Sequence, residues 1–329
     1  MNSDFDPKKN ITKIDYFLMQ INRINRGIIK INDFVSIKKT VRNWQDVLFF
    51  RLGLKKSNFT MELRNGFKVK IKKPEDYFEF FSSNQYKKIR LTNLSFNKIG
   101  NLLTFKYKGH KVKFYCPKEK ESDVLDLLLE EFVYKIYDQF DCKNKIVVNV
   151  GGNIGDSALF FALEGAKHVY MIEPFFDNYK IALKNIKLNE MHDFITPIFA
   201  ACASKDVYLH VSDTSQHTKS TEIVEVQKGK KIKTISLKTL VTNNKINHAL
   251  LEMDCEGCEY DLILESSKSV LDRFDYIILE YHYGAKNILK KLNNLGFTSK
   301  HTPPIYFKGN TRDAPTFDRY VGLIFAKRK

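Results

Sequence analysis

The sequence predicts an α/β fold: a mostly parallel sheet with helices on both faces, preceded by a smaller, basic α+β region. One observation behind this is alternation. From residue 146 onward, short apolar runs take turns with segments of helical spacing, the pattern of parallel strands joined by crossover helices. The other is a junction. The apolar run Ile146–Val150 breaks into Gly151, Gly152, Asn153 and Gly155, and Ala158, Leu159, Phe161 and Ala162 then take up helical spacing. The next apolar run, residues 169–172, ends on Glu173. A glycine turn lets backbone approach a ligand closely, and an acid at the tip of the following strand can take the two hydroxyls of a ribose. An adenosine group is therefore expected at the carboxyl ends of the strands.

Residues 11–31 place Ile14, Phe17, Leu18, Ile21, Ile24, Ile28 and Ile31 on one helix face, opposite Lys13, Arg23, Arg26 and Lys30. Such a face packs on its own domain or lies on an anionic membrane surface; packing is the expectation. A second helix over 37–52 holds the only tryptophan, Trp44. Two hairpins follow. In the first, a three-residue turn of Arg64, Asn65 and Gly66 pairs Met61 with Val69 and Phe59 with Ile71, gathering the apolar side chains on one face and setting Glu62 against Lys68. In the second, a turn at Gly109 and His110 pairs Tyr107 with Val112 and Phe105 with Phe114. Lys106, Lys108, Lys111 and Lys113 then form two like-charged cross-strand pairs, which is either a solvated face or an anion-binding one.

A helix over 123–140 leads into the strand Ile146–Val150. Expected after it are helix 156–164, strand 168–173, helix 177–188, strand 195–200 and a β-rich insertion over 207–237. Strand 249–254, helix 259–271, strand 276–281, helix 286–295 and two closing strands near 298–301 and 319–326 complete the chain. The expected division is a basic region with two hairpins over 1–120 and a Rossmann-like domain over 121–329.

Of 329 residues, 43% are hydrophobic, enough for a sizeable core. No run of about 18 apolar residues exists that would span a membrane. The formal charge of +16 resides in residues 1–117, with 25 basic against 9 acidic side chains; residues 118–329 hold 29 of each. An acidic partner such as nucleic acid is thus to be sought on the N-terminal region. The five cysteines are scattered and odd in number, which reads as a cytoplasmic, reducing setting rather than a disulfide framework. Cys255 and Cys258 form a CxxC, but no second pair completes a zinc site, and packing is the expected role.

The glycine turn, the Glu173–Pro174 pair, the segment from Asn178 to Asn189 and the Asp254-x-Glu256-Gly257-x-Glu259 segment occur here in that order. In this the chain resembles the FkbM family of S-adenosylmethionine-dependent methyltransferases, class I Rossmann-like enzymes. The resemblance covers residue 132 to the C-terminus closely and the N-terminal third loosely. It implies S-adenosylmethionine as cofactor, with Asn149, Gly151, Gly152, Asn153, Gly155, Asp156, Glu173, Pro174 and Asp254 around it. Glu173 would hold the ribose hydroxyls. The family has Asp where Asn149 stands, so Asp156 or Asp254 would have to face the cofactor's positive charge. The implied reaction is O-methylation of a sugar or glycan-intermediate hydroxyl. Asp254, Glu256, Glu280 and His282 are the candidate catalytic groups, with His282 or Asp254 as base. No metal site is identified from the sequence. The other readings are an RNA methyltransferase that uses the basic N-terminal region, a binding protein with a vestigial pocket, and a nicotinamide dinucleotide site, whose GxGxxG spacing the glycines do not keep. His168 and His192 are expected at the surface, and residues 308–315 as a loop beside the substrate.

Overall fold

A computed structural model describes residues 10–12, 15, 19, 41–51, 54–55, 58–62, 68–71, 96–211, 229–309 and 318–329. Most of the amphipathic helix expected over 11–31, the turn of the first hairpin and residues 310–317 lie outside the described residues. The chain divides into two compact units, one of Gln20–Asn97 and one of Met1–Met19 with Lys98–Lys329. Among the described residues, no helix is long and apolar enough to cross a membrane.

In the smaller unit, helix α1 (Trp44–Arg51) precedes an antiparallel hairpin, β1 (Phe59–Glu62) and β2 (Lys68–Ile71). Its register pairs Phe59 with Ile71, Met61 with Val69 and Glu62 with Lys68, as alternation dictates. Asn43 ties the helix to β1, accepting from the Glu62 amide and donating to the Thr60 carbonyl, both at 2.8 Å.

The larger unit opens with β3 (Asn97–Ile99), β4 (Leu102–Tyr107) and β5 (His110–Tyr115). Here the register differs from expectation: Tyr107 pairs with His110 and Phe105 with Val112. The turn is Lys108–Gly109, with φ of 46° and 83°, the doubly left-handed turn that matches strand twist and favours glycine second. One like-charged pair, Lys106 with Lys111, remains; Lys113 faces Thr104, and Lys108 reaches Glu164 at 2.5 Å. The lysine face is therefore smaller than the sequence suggests.

Helix α2 (Glu121–Leu129) widens into a π segment, Glu130–Tyr134, and stops at Lys135, which is left-handed at φ 50°. This ends the helix well before residue 140. It also turns Phe132 into the centre of an aromatic cluster, with ring centroids 5.1 Å from Phe105, 5.0 Å from Tyr107 and 5.7 Å from Phe160. The β4–β5 hairpin is held on a second side by two side-chain amides at the C-terminal end of the helix over residues 176–188. Asn185 accepts from the Tyr115 amide at 2.7 Å, and Asn189 exchanges two bonds with Lys113. These contacts join the hairpin to the larger unit, which takes up the chain again at Lys98.

The main elements follow as β6 (Ile146–Val150), α3 (Asp156–Leu163), β7 (His168–Glu173), α4 (Phe176–Leu188), β8 (Ile195–Phe199), β9 (Ala201–Ala203), β10 (Tyr208–Val211), β11 (Lys230–Ser236) and α5 (Leu237–Asn243). After them come β12 (Ala249–Met253), α6 (Cys258–Glu265), α7 (Lys268–Leu271), β13 (Phe274–Tyr281), α8 (Lys286–Asn294), β14 (Phe297–His301), β15 (Ile305–Phe307) and β16 (Arg319–Arg328). The one helix expected over 259–271 is two, because Ser266 is extended at ψ 136°. The large sheet runs β14-β16-β13-β12-β6-β7-β8, and β15 pairs with β16. All neighbours from β13 to β8 are parallel, while β16 is antiparallel to β13 and β14. Strand order reverses between β6 and β12, which opens a crevice at their carboxyl ends. Val148, Val150, Leu251, Met253, Ile277 and Leu279 line one sheet face and join the core with α5, α6 and α8.

Phe132→Ala is expected to cost about 3–5 kcal/mol, the scale of emptying a fully buried phenylalanine site, read as a loss of denaturation midpoint in urea. A loss below about 1 kcal/mol would mean that the hairpin docks without this cluster.

Candidate active site

The turn after β6 is set by close approach. Gly151 has φ 93°, and a Cβ there would lie 1.9 Å from the Asp254 carbonyl oxygen, so only glycine lets the ends of β6 and β12 meet. A Cβ on Gly152 would fall 2.2 Å from the Met171 side chain. Asn153 is left-handed at φ 43°, and Gly155 precedes α3. Glu173, at the tip of β7, is 3% exposed. Pro174 has no amide to give, and the carboxylate reaches past it to accept from the Phe175 amide and, across the turn, from the Asn153 amide, both at 2.8 Å. Burial pushes Glu173 up to about 8 despite those bonds. Asp156 is buried in the first turn of α3, where the helix dipole favours an acid.

Asn149 is fully buried beneath this turn. Its amide donates to Ser157 Oγ at 3.1 Å and to the Glu252 carboxylate. Its amide nitrogen is thus engaged by Ser157 and Glu252, a residue the sequence analysis does not single out, while its Oδ1 is buried without a hydrogen-bond partner.

Alternation gathers the acids. Parallel pairing sets Asn149 beside Glu252 and Met253 beside Leu279. One residue further, Asp254 and Glu280 therefore emerge on the same sheet face as Glu252, with His282 one pleat beyond. His282 is 1% exposed. Its Nε2 lies 3.2 Å from Glu256, 3.6 Å from Glu280 and 3.8 Å from Asp254, and its Nδ1 lies 3.3 Å from Glu259. Burial alone would lower its pKa, but the carboxylates of Glu256, Glu259 and Glu280 hold it well above the usual value. Burial, then Glu256, raises Asp254 to about 7; burial and Asp254 raise Glu280 and Glu252 well above the carboxylate range. The four candidate catalytic residues thus converge.

The structure adds partners that sequence alone does not show. Arg319, 2% exposed at the start of β16, donates to Glu256 Oε2 at 2.6 Å. Glu259 is fully buried and accepts from the Cys255 and Gly257 amides at 3.0 and 2.9 Å. Glu256 itself is left-handed at φ 58°, a strained conformation of the kind that clusters at functional sites. The π segment turns Glu131 inward, where burial and then Asp156 raise its pKa well above normal; such widened turns are frequent at functional sites, which is the one signal that could have found it. Tyr137 donates to Asp254 Oδ2 at 3.4 Å. Asn10 holds the turn after His282, donating to the Tyr283 and Gly284 carbonyls at 2.7 and 2.6 Å. His168 bonds Thr196 at 2.8 Å on β8, and His192 is exposed beside Asp193; neither joins the site.

Cys255 and Cys258 do pack against the core, but they are also joined as a disulfide, with Cα atoms 5.5 Å apart. The tight turn at Gly257 brings them together, and the bridge removes cysteine usage as an argument for a reducing compartment.

Residues 149–299 match the family model of the methyltransferase FkbM domain. The chain carries a methyltransferase FkbM domain. It is accordingly an S-adenosylmethionine-dependent methyltransferase, and the observed strand order, with an antiparallel strand between β13 and β14, is that of a class I enzyme. No curated protein matches the chain. The chain is similar in structure to Pyrococcus horikoshii TYW2 in complex with MeSAdo, with TM-score 0.37 and 12% identity over 78% of this chain and 86% of that one. It is also similar to M. jannaschii TYW2 in complex with AdoMet, with TM-score 0.34 and 17% identity over 71% and 89%. A third is M. capricolum TrmK in complex with S-adenosyl-homocysteine, with TM-score 0.37 and 13% identity over 60% and 67%. Similarity at this level bears on neither activity nor acceptor.

Two outcomes are expected from this methyltransferase. Asn149→Asp would set a second carboxyl against buried Glu252 and lower stability by about 3 kcal/mol. The loss should grow as pH rises and the pair gives up its shared proton, and Glu252→Gln in the same chain should restore the melting temperature. Denatured without reductant, the protein should present three reactive thiols, Cys116, Cys142 and Cys202, and five after reduction; five from the start would show that the bridge does not form.

Proposed function

We propose that this methyltransferase O-methylates a neutral, hydroxyl-rich acceptor such as a sugar or glycan intermediate. The observation that carries this is the charge of the crevice beyond the glycine turn: Asp254, Glu256 and Glu280 converge there around His282. Carboxylates accept hydrogen bonds from hydroxyls and repel phosphates, so the reacting end of the crevice suits a polyol better than a polyanion. Asp254 keeps 36% of its side chain exposed and Glu280 26%, enough to be reached by an acceptor.

Residues fit the cofactor on this reading. Asn153 and the glycines shape the turn, and Glu173, which accepts from the Asn153 and Phe175 amides and from the Asn178 side chain, has acceptor capacity left for ribose. Asp254, at the turn's edge, and Asp156 supply the negative charge that Asn149 lacks. Bound S-adenosylmethionine supplies an electrophilic methyl group on a sulfonium. The chain's part is alignment of the acceptor hydroxyl, by Glu280 at the tip of β13 among others, and reception of its proton by Asp254 at the tip of β12, which burial raises to about 7. Glu256 is held by Arg319 and orients the loop.

The RNA reading rests on the Lys106–Lys111 pair, both exposed on the β4–β5 hairpin. It weakens because Lys108 is engaged by Glu164 and the Lys113 backbone by Asn189.

The experiment is incubation with methyl-labelled cofactor and cell extract separated into glycan, lipid, RNA and small-molecule fractions, with label expected in glycan or sugar. Label in RNA, lost on Lys106→Glu with Lys111→Glu, would replace this reading. Cofactor binding should itself release a proton, because ribose hydroxyls favour ionised Glu173. Affinity should therefore fall as pH drops below about 8, measured by calorimetry in buffers of different ionisation heat. Glu173→Gln should abolish the proton release, and persistence of the release would remove Glu173 from the ribose site.

A further inference from the structure

We infer that Asp254, Glu280 and His282 form a binding site for a divalent first-row transition cation, which the donor set suits as Mn²⁺ or Zn²⁺. The three offer two carboxylate oxygens and an imidazole nitrogen, all within 4.8 Å of one another. His282 Nε2 is 3.6 Å from Glu280 Oε1 and 3.8 Å from Asp254 Oδ1. Ligands about 2.1 Å from a tetrahedral ion stand about 3.4 Å apart, so the two histidine–carboxylate distances come within a few tenths of an ångström of that spacing.

The histidine ring is 1% exposed, and its Nδ1, which makes no well-aligned hydrogen bond, is turned to Glu259 and away from the three donors. Nε2 lies among three carboxylates, 3.2 Å from Glu256, 3.6 Å from Glu280 and 3.8 Å from Asp254. Behind it, Nδ1 faces fully buried Glu259 at 3.3 Å, and Glu259 is itself fixed by the Cys255 and Gly257 amides. A carboxylate behind the distal ring nitrogen is the usual support of a metal-ligating histidine. Asp254 Oδ1 is buried and likewise without a hydrogen-bond partner. Arg319 pairs with Glu256. Imidazole beside two carboxylates favours Mn²⁺ or Zn²⁺ over Ca²⁺, which takes six or more oxygens.

The site sits where the acceptor hydroxyl would reach the carboxylates. Its role, holding that oxygen and easing loss of its proton, rests on the function proposed above; occupancy by the ion does not. Full-length protein without cofactor would be titrated with Mn²⁺, with the free-ion paramagnetic resonance signal as readout, and Zn²⁺ then added as competitor. One Mn²⁺ per chain, displaced by Zn²⁺, is expected. Asp254→Asn and Glu280→Gln, each partly exposed and isosteric, should each weaken binding by about 10-fold or more while retaining the melting temperature of the metal-free protein. Glu173→Ala should bind Mn²⁺ as the native chain does. No binding of either ion, or binding unchanged by both substitutions, overturns the inference. Normal Mn²⁺ binding in a chain that labels no hydroxyl acceptor would sink the proposed acceptor and leave the cation site standing.

Discussion

Close packing of acids at the ends of β12 and β13 is the constraint on which this site depends. Glu252, Asp254, Glu256, Glu259 and Glu280 lie within a few residues of two neighbouring strand ends, and the opposing positive groups seen among them are His282 and Arg319. Burying charge is costly unless it is paired or neutralised. The chain meets that cost in different ways at different depths. Glu252 takes an amide from Asn149, Glu259 takes two backbone amides, Glu256 takes the guanidinium, and the acids nearest the opening hold their protons far above the usual range.

This arrangement needs rigid support, which comes from sequence-distant pieces. β16 runs antiparallel beside β13 and delivers Arg319 to Glu256. Asn10 locks the turn that follows His282. The π segment after α2 inserts Phe132 among the hairpin aromatics and Glu131 among the acids. Packing of the hairpin and shaping of the site are thus joined in one short segment, so changes in one should be felt in the other.

Asn149 illustrates how a local departure is resolved by its surroundings. Taken alone it looks like a missing anion in a cofactor site. In the fold it is the partner of Glu252, and an aspartate there would face another carboxylate. On the function proposed here, the negative charge stands one strand over, on Asp254.

The sequence by itself determined the order of elements, the glycine junction, Glu173 at a strand tip and the convergence of Asp254, Glu256, Glu280 and His282. Local periodicity carries that information: alternation fixes which face a residue occupies, and parallel strand ends share one edge of the sheet. It also fixed the β1–β2 register, because only one pairing puts Phe59, Met61, Val69 and Ile71 on the same face. It did not fix the β4–β5 register, since moving the turn by one residue keeps the same apolar face, and Lys108 finds Glu164 only after folding. Nor could it show that Arg319, Asn10 and Glu131 belong to the site, that Cys255 and Cys258 meet, or that Asn149 answers Glu252. Those are pairings between segments far apart in the chain or on separate strands, and only tertiary packing, which decides which buried charge finds which partner, brings them together.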